Sequence, residues 1–221
     1  MRLDLNVEDL KGTGARIRLR RPLLFMVGFA GRDRAAVQHH IEELGREGVP
    51  APDKVPAYYR VPGYMLVGSG EYDVLGPRTS GEIEPVLLVT SDGMFVGVGS
   101  DHTDREAERR SVPLSKQLGP KVLAGTVWPL GEVEGHWDDL VLMGWSGGRS
   151  YQQGRLAELL PYGAHPLETM HASDRDLVLF LGTLPVVGGN MDFSEEFSGE
   201  LRDLTHNRSI TFAYKATPLP S

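Results

Sequence analysis

The sequence contains no cysteine. This excludes a disulfide framework, thiolate metal ligands and a redox thiol. No apolar run approaches the ~18 residues of a membrane helix. The opening MRLDLNVEDL has no signal-type apolar core. A soluble, cytoplasmic protein that avoids membranes is expected. Basic charge is also scarce: 23 Lys and Arg face 30 Asp and Glu, for a net charge of −7. Nucleic-acid binding calls for a basic face and is not expected. The one basic cluster, ARIRLRR (15–21), alternates with apolar residues and reads as a strand with an exposed cationic face.

Turn-forming residues are abundant, with 27 glycines and 15 prolines spread as punctuation. Between them lie short runs rich in Val, Leu and Phe, such as PLLFMVGFA, PVLLVT, LVLMGW and LVLFLGTLPVV. These read as strands, many of them buried. A length of 221 residues suits a single domain, 1–221, with 1–22 as an N-terminal extension. The expected class is mainly β (α+β) with a few helices. One helix stands out over 33–47: Asp33 can cap RAAVQHHIEELGREG and Gly48 can end it.

The stretch GEIEPVLLVTSDGMFVGVGSDHTDRE (81–106) carries the most chemistry. Alternate strand residues share a face, so Glu82 and Glu84 point together and Ile83 points away. An isolated pair of this kind at a strand entrance is usually just solvated. Here TSDG can close a hairpin between PVLLVT and MFVGVGS, which returns Ser100 and Asp101 to the side of Glu84. Three carboxylates in one place repel unless a cation lies between them. Hard oxygen donors without cysteine suit Mg²⁺, Mn²⁺ or Ca²⁺.

EIE at 82–84 followed by SDHTDRE at 100–106 resembles the fumarylacetoacetate hydrolase superfamily, which holds its metal with E-x-E and a later N-D-x-S/T-A-R-D run. Asp101, Thr103, Arg105 and Glu106 fall in register; Ser100 replaces Asn and Asp104 replaces Ala. Three further pieces follow in the same order. SKQLGPK offers Lys116, with Lys121 as the alternative lysine, and YQQGRLAELL offers Gln152 or Gln153. DRDLVLFLGTLPVVGG supplies Asp176, Gly182, Thr183, Pro185 and Gly188. The likeness spans roughly 23–217 and reads as a divergent, uncharacterised bacterial branch.

The helix adds a fifth piece. At ~100° per residue, Val37, His40, Ile41 and Leu44 form one stripe, with Glu43 at its edge and His39 and Glu42 pointing away. From the helix alone, His40 is a core residue bonded to a carbonyl. The resemblance gives HIEEL (40–44) another role, because catalytic members carry an H-x-x-E dyad in which His takes a proton from water and Glu orients it.

The resemblance implies a mixed β-sheet roll with small peripheral helices, commonly a homodimer. It implies Glu82, Glu84 and Asp101 as ligands of a divalent metal, with Mg²⁺ expected and Mn²⁺ or Ca²⁺ as alternatives. His40, Glu43 and Lys116 would be catalytic; Arg105, Gln152, Gln153 and Thr183 would contact a small carboxylate substrate. The implied reaction is C–C hydrolysis of an acylpyruvate-like 2-oxo or 2-hydroxy acid through a metal-stabilised enolate. An isomerase, hydratase or decarboxylase of dienoate- or oxaloacetate-type compounds is the alternative enzyme. A non-catalytic binding protein on the same fold is the alternative of another class. GWSGG (144–148) matches G-x-S-x-G around Ser146, but no helix follows it and the nucleophile-elbow reading is set aside.

Overall fold

A computed structural model describes residues 3–46, 48–171 and 174–220. The chain opens with strands β1 (Leu3–Val7), β2 (Arg16–Leu19) and β3 (Leu23–Gly28), then helix α1 (Arg34–Arg46). Strands β4 (Ala57–Val61), β5 (Leu66–Val67), β6 (Glu71–Val74), β7 (Thr79–Ser80), β8 (Ile83–Thr90), β9 (Gly93–Asp101) and β10 (Thr103–Asp104) follow. Two short helices come next, α2 (Arg105–Glu108) and α3 (Val112–Ser115). The rest comprises β11 (Lys121–Leu123), β12 (Thr126–Pro129), β13 (Val141–Ser146), β14 (Arg149–Arg155), α4 (Leu167–Met170), β15 (Leu177–Phe180), β16 (Glu196–Asp203) and β17 (Arg208–Pro218).

The larger sheet runs β2-β1-β12-β9-β8-β15-β3-β4, with β11 and β5 attached beside β9. The smaller runs β14-β13-β16-β17-β6, and β7 pairs with β10. Both main sheets mix parallel and antiparallel pairs, for instance β15 with β3 and β15 with β8. The fold is the mainly β, curled mixed sheet expected from the sequence. The cationic strand is β2, where Ile17 and Leu19 are buried and Arg16 and Arg18 exposed.

Strand β8 lies at the centre and is buried on both faces. Leu87 and Ile83 join the core between the sheets, with Val98, Leu142, Phe197 and Phe212. Val86 and Leu88 face the other way, toward Met26, Phe95, Val178 and Phe180. A strand covered on both sides reads as a continuous apolar run, which is how PVLLVT reads. Ile83 is the clamp between sheets: its side chain fills the space that Gly144 and Gly199 leave on the neighbouring sheet.

The hairpin of β8 and β9 has the expected register, from Thr90 opposite Gly93 to Glu84 opposite Gly99 and Ile83 opposite Ser100. Glu84 is therefore level with a glycine, and Glu82 and Asp101 extend the same face. A side chain at 99 would collide with the Val122 carbonyl and the Phe180 ring. Gly99→Ala is expected to destabilise the fold by about 1–3 kcal/mol or more, because backbone on one side and a packed ring on the other leave nowhere to move. Denaturant unfolding checks this; an unchanged midpoint would mean that the hairpin is not packed this way.

Candidate metal centre and cavity

Glu82, Glu84 and Asp101 converge, with one oxygen from each within 4.8 Å of the others. The hairpin brings them together, and a backbone bond from Asp101 N to Glu82 O at 3.0 Å closes its mouth. Glu84 and Asp101 are almost wholly buried, at 2% and 1% exposure. Such a group must be neutralised.

Three cations do part of this. Lys116 Nζ lies 2.7 Å from Glu82 Oε2 and 2.8 Å from Asp101 Oδ2. Lys121 Nζ lies 2.6 Å from Asp101 Oδ1 and donates to the His102 carbonyl at 2.8 Å. Arg105 Nη2 holds Glu82 Oε1 at 2.9 Å, and its other nitrogens donate to Ser80 Oγ at 2.7 Å and Glu108 Oε2 at 2.9 Å. Short helices aim these side chains. Asp104 caps α2 by accepting from Glu106 N and Ala107 N, and Ser111 caps α3, which ends at Lys116.

The compensation is uneven. Burial opposes ionisation of Glu82, but Arg105 and Lys116 outweigh it and hold its carboxyl well below the ordinary range. Burial also opposes the charge on Lys116, yet Asp101 and Glu82 outweigh it and raise its pKa. Glu84 goes the other way: burial first, then the charges of Asp101 and Glu82, push it well above the ordinary carboxylate value. It accepts one hydrogen bond, from Gly182 N at 2.8 Å, and no cation lies at ion-pair distance among the described residues. Gly182 can approach because it turns sharply at φ +96°, a conformation that suits glycine.

Both oxygens of Asp101 are taken by lysine nitrogens, Oδ2 by Lys116 and Oδ1 by Lys121. Glu84 thus keeps unused lone pairs and has no cation partner among the described residues, and its neutral form is favoured. A hard divalent cation fits this donor set. It would compete with Lys116 for Glu82 Oε2 and Asp101 Oδ2. A second group, His136, Asp203 and His206, is also close enough to hold an ion. There the Asp203 carboxylate is already spent on His136, His206, Arg208 and the backbone of Thr205, so it ties the β16–β17 turn.

A cavity of about 920 Å³ opens beside the carboxylates, lined at one end by Glu82, Glu84, Arg105, Lys116 and Thr183. Thr183 Oγ1 donates to the Ile83 carbonyl at 2.7 Å and accepts from Gln152 Nε2 at 2.7 Å; Gln152 Oε1 accepts from Ile83 N at 2.9 Å. Helix α1 forms another wall, capped as expected, with Asp33 Oδ1 accepting from Ala35 N and Ala36 N. Gly48 follows it in the left-handed conformation, and Glu47, the last residue of the expected run, lies outside the described residues.

Several expectations need correcting. His40 is not core: its side chain is 61% exposed and lines the cavity, because α1 buries only Val37. His39 does not point away. Its Nδ1 is 3.5 Å from Glu43 Oε1, closer than His40 Nδ1 to Glu43 Oε2 at 3.8 Å, and it lines the cavity too. Gln153 is exposed, on the strand face opposite Gln152. Gln152 itself is buried, bonded to Thr183 and Ile83, and is not among the residues lining the cavity. Arg105 is likewise spent on Glu82, Glu108 and Ser80. Lys116 faces the cavity, whereas Lys121 lies behind Asp101 and does not line it. His102 turns away to bond Tyr214, and burial pushes it down to about 3. Sequence reading missed His39 as a cavity residue, and Glu108, although the Arg105-to-Glu108 spacing was a legible i,i+3 pair.

The model of the family described as "Protein of unknown function (DUF2848)" matches residues 27–214. The chain belongs to this family. No curated protein matches it by sequence. Solved structures with the fumarylacetoacetate hydrolase fold match nearly end to end. One, from Oleispira antarctica and provisionally named a fumarylacetoacetate isomerase/hydrolase, has a TM-score of 0.68 at 18% identity, covering 96% of this chain and 98% of its own. Fumarylpyruvate hydrolase from Pseudomonas aeruginosa, in complex with Mn²⁺ and pyruvate, has a TM-score of 0.67 at 14% identity, covering 97% and 96%. The 5-carboxymethyl-2-hydroxymuconate delta-isomerase of Mycobacterium smegmatis has a TM-score of 0.63 at 15% identity, covering 95% and 85%. At these identities the likeness establishes the fold.

Replacing Lys116 by Met tests the competition at the carboxylates. Without added metal, Lys116→Met is expected to lose about 3–5 kcal/mol, since Glu82 and Asp101 lose a shared cation. Mn²⁺ is expected to stabilise this variant more than the wild type, as read by thermal unfolding. Equal Mn²⁺ responses would mean that lysine and ion do not share the site.

Proposed function

We propose that this chain is a divalent-metal-dependent enzyme acting on a 2-oxo or 2-hydroxy carboxylate, and that it hydrolyses a C–C bond of an acylpyruvate-like substrate. The observation that carries the reading is the shared cavity. Glu82, Glu84 and Lys116 line one end, with Asp101 buried beside them, and His39, His40 and Glu43 line the same space. The Mn²⁺ and pyruvate named with the Pseudomonas aeruginosa hydrolase support the ligand class.

An ion held by Glu82, Glu84 and Asp101 would supply Lewis-acid stabilisation of negative charge growing on the 2-oxo oxygen. Lys116 adds a second positive charge beside that oxygen, already held protonated by its carboxylates. Thr183 lines the cavity wall and is fixed there by Gln152 and the Ile83 carbonyl, to which it gives its one hydroxyl proton. A histidine of α1 accepts a proton from water as the general base. Glu43 lies between His39 and His40 and orients whichever serves. Mg²⁺ as the resident ion and a homodimeric assembly belong to the same proposal; light scattering reads the latter.

The test has two parts. Mg²⁺ or Mn²⁺ is expected to raise the thermal midpoint of the wild type and leave Glu82→Ala/Glu84→Ala unmoved, by preferential binding to the folded state. With metal present, acylpyruvate hydrolysis is expected to fall by 10²–10⁴-fold in the His39→Ala/His40→Ala double variant. No metal response in the wild type would refute the metal-dependent reading. Retained turnover in the double variant would remove the histidines from the reaction.

A further inference from the structure

The cavity is far larger than a pyruvate head requires, so its remaining wall must select the rest of the substrate. Apolar side chains line much of it, Phe29, Val37 and Leu44 on the side of α1 and Tyr59, Leu184 and Met191 nearer the carboxylates. Phe29 is held at φ +57°, a left-handed conformation that bulky residues avoid, and its ring lies 6.4 Å from that of His40. A strained backbone thus keeps an aromatic ring against the cavity. Burial raises the Tyr59 pKa, so the phenol there stays neutral.

The charges on the cavity wall are equally informative. The cations among the described lining residues are Arg32, Arg105 and Lys116. Lys116 and Arg105 are taken by the carboxylate cluster. Arg32 is gripped by both oxygens of Asp138, at 2.7 and 2.8 Å, and its Nε donates to the Leu159 carbonyl at 3.1 Å. The other charged groups lining that side are acidic, Asp33, Glu43 and Glu158. A second carboxylate on the substrate would lose water without gaining a cation and would meet like charge.

Resting on the function proposed above, we infer that the substrate is a 2-oxo acid whose distal part is uncharged and apolar, not a dicarboxylate. The recognised group is an alkyl or aryl tail beyond the 2-oxo carboxylate head. Each methylene laid against such a wall is expected to tighten binding about fourfold, the equivalent of ~0.8 kcal/mol.

The experiment is calorimetric binding to the intact protein with saturating Mn²⁺. The probes are pyruvate, 2-oxobutanoate, 2-oxopentanoate and 2-oxohexanoate, with 2-oxoadipate as the six-carbon partner of the last, ending in a carboxylate instead of a methyl. Affinity is expected to rise along the series, and 2-oxohexanoate to bind at least tenfold tighter than 2-oxoadipate. Leu44→Arg, on the α1 side of the cavity, is expected to narrow or invert that preference. Equal or tighter binding of 2-oxoadipate to the wild type would overturn the inference and leave the 2-oxo acid reading standing. An unchanged preference in Leu44→Arg would remove the tail from this wall and overturn it as well. Failure of every probe, pyruvate included, would refute the 2-oxo acid reading itself and the inference with it.

Discussion

Repulsion among three buried carboxylates is the constraint around which the rest of this molecule is arranged. Glu82, Glu84 and Asp101 cannot share a dry site unaided. The chain therefore spends two short helices, α2 and α3, on placing Arg105 and Lys116 against them, and β11 on placing Lys121 behind Asp101. Glu108 joins Arg105, so three cations still face four carboxylates. The deficit falls on Glu84, which is left with a backbone amide alone. A fold selected for stability would replace such a group with apolar residues, since burying ions seldom stabilises. Keeping it is consistent with a site that completes its charge with an ion from outside.

The same residues hold the scaffold together. Ile83 lies between Glu82 and Glu84 in sequence and points into the opposite sheet, where glycines at 144 and 199 make room for it. Its amide and carbonyl are also bound, by Gln152 Oε1 and Thr183 Oγ1. One residue thus sets the distance between sheets, fixes the two glutamates by strand alternation, and ties Thr183 to the cavity edge.

Much of this was legible in the sequence, where local chemistry decides it. The hairpin from 83 to 101 follows from two apolar runs and a TSDG turn, and the facing of Glu82 and Glu84 follows from period two. The helix over 34–46 follows from Asp33 and Gly48. Residue choices that depend on tertiary register were not legible. Gln152 and Gln153 are adjacent, and a register shift between Gly144 and Trp145 sets which one faces inward. Lys116 and Lys121 are five residues apart and both reach Asp101. Only the path of α3 decides which also reaches the cavity. The helical wheel of α1 misplaced both histidines because it assumes one buried stripe. A helix that buries only Val37 instead exposes most of its circumference.

The two ends of the cavity follow opposite physical rules, and that contrast determines what it can hold. At the carboxylate end, polar groups are fixed in advance by caps, ion pairs and strand pairing, so they need not reorganise when charge appears. At the other end, apolar side chains confer affinity in proportion to area and say little about orientation. Under the function proposed above, a molecule that fits both carries its chelating oxygens at one terminus and its hydrocarbon at the other. The ion pair of Arg32 with Asp138 keeps the far end this way. It engages a guanidinium that a distal carboxylate would otherwise meet. Specificity at that end is set as much by the cation withheld as by the surface offered.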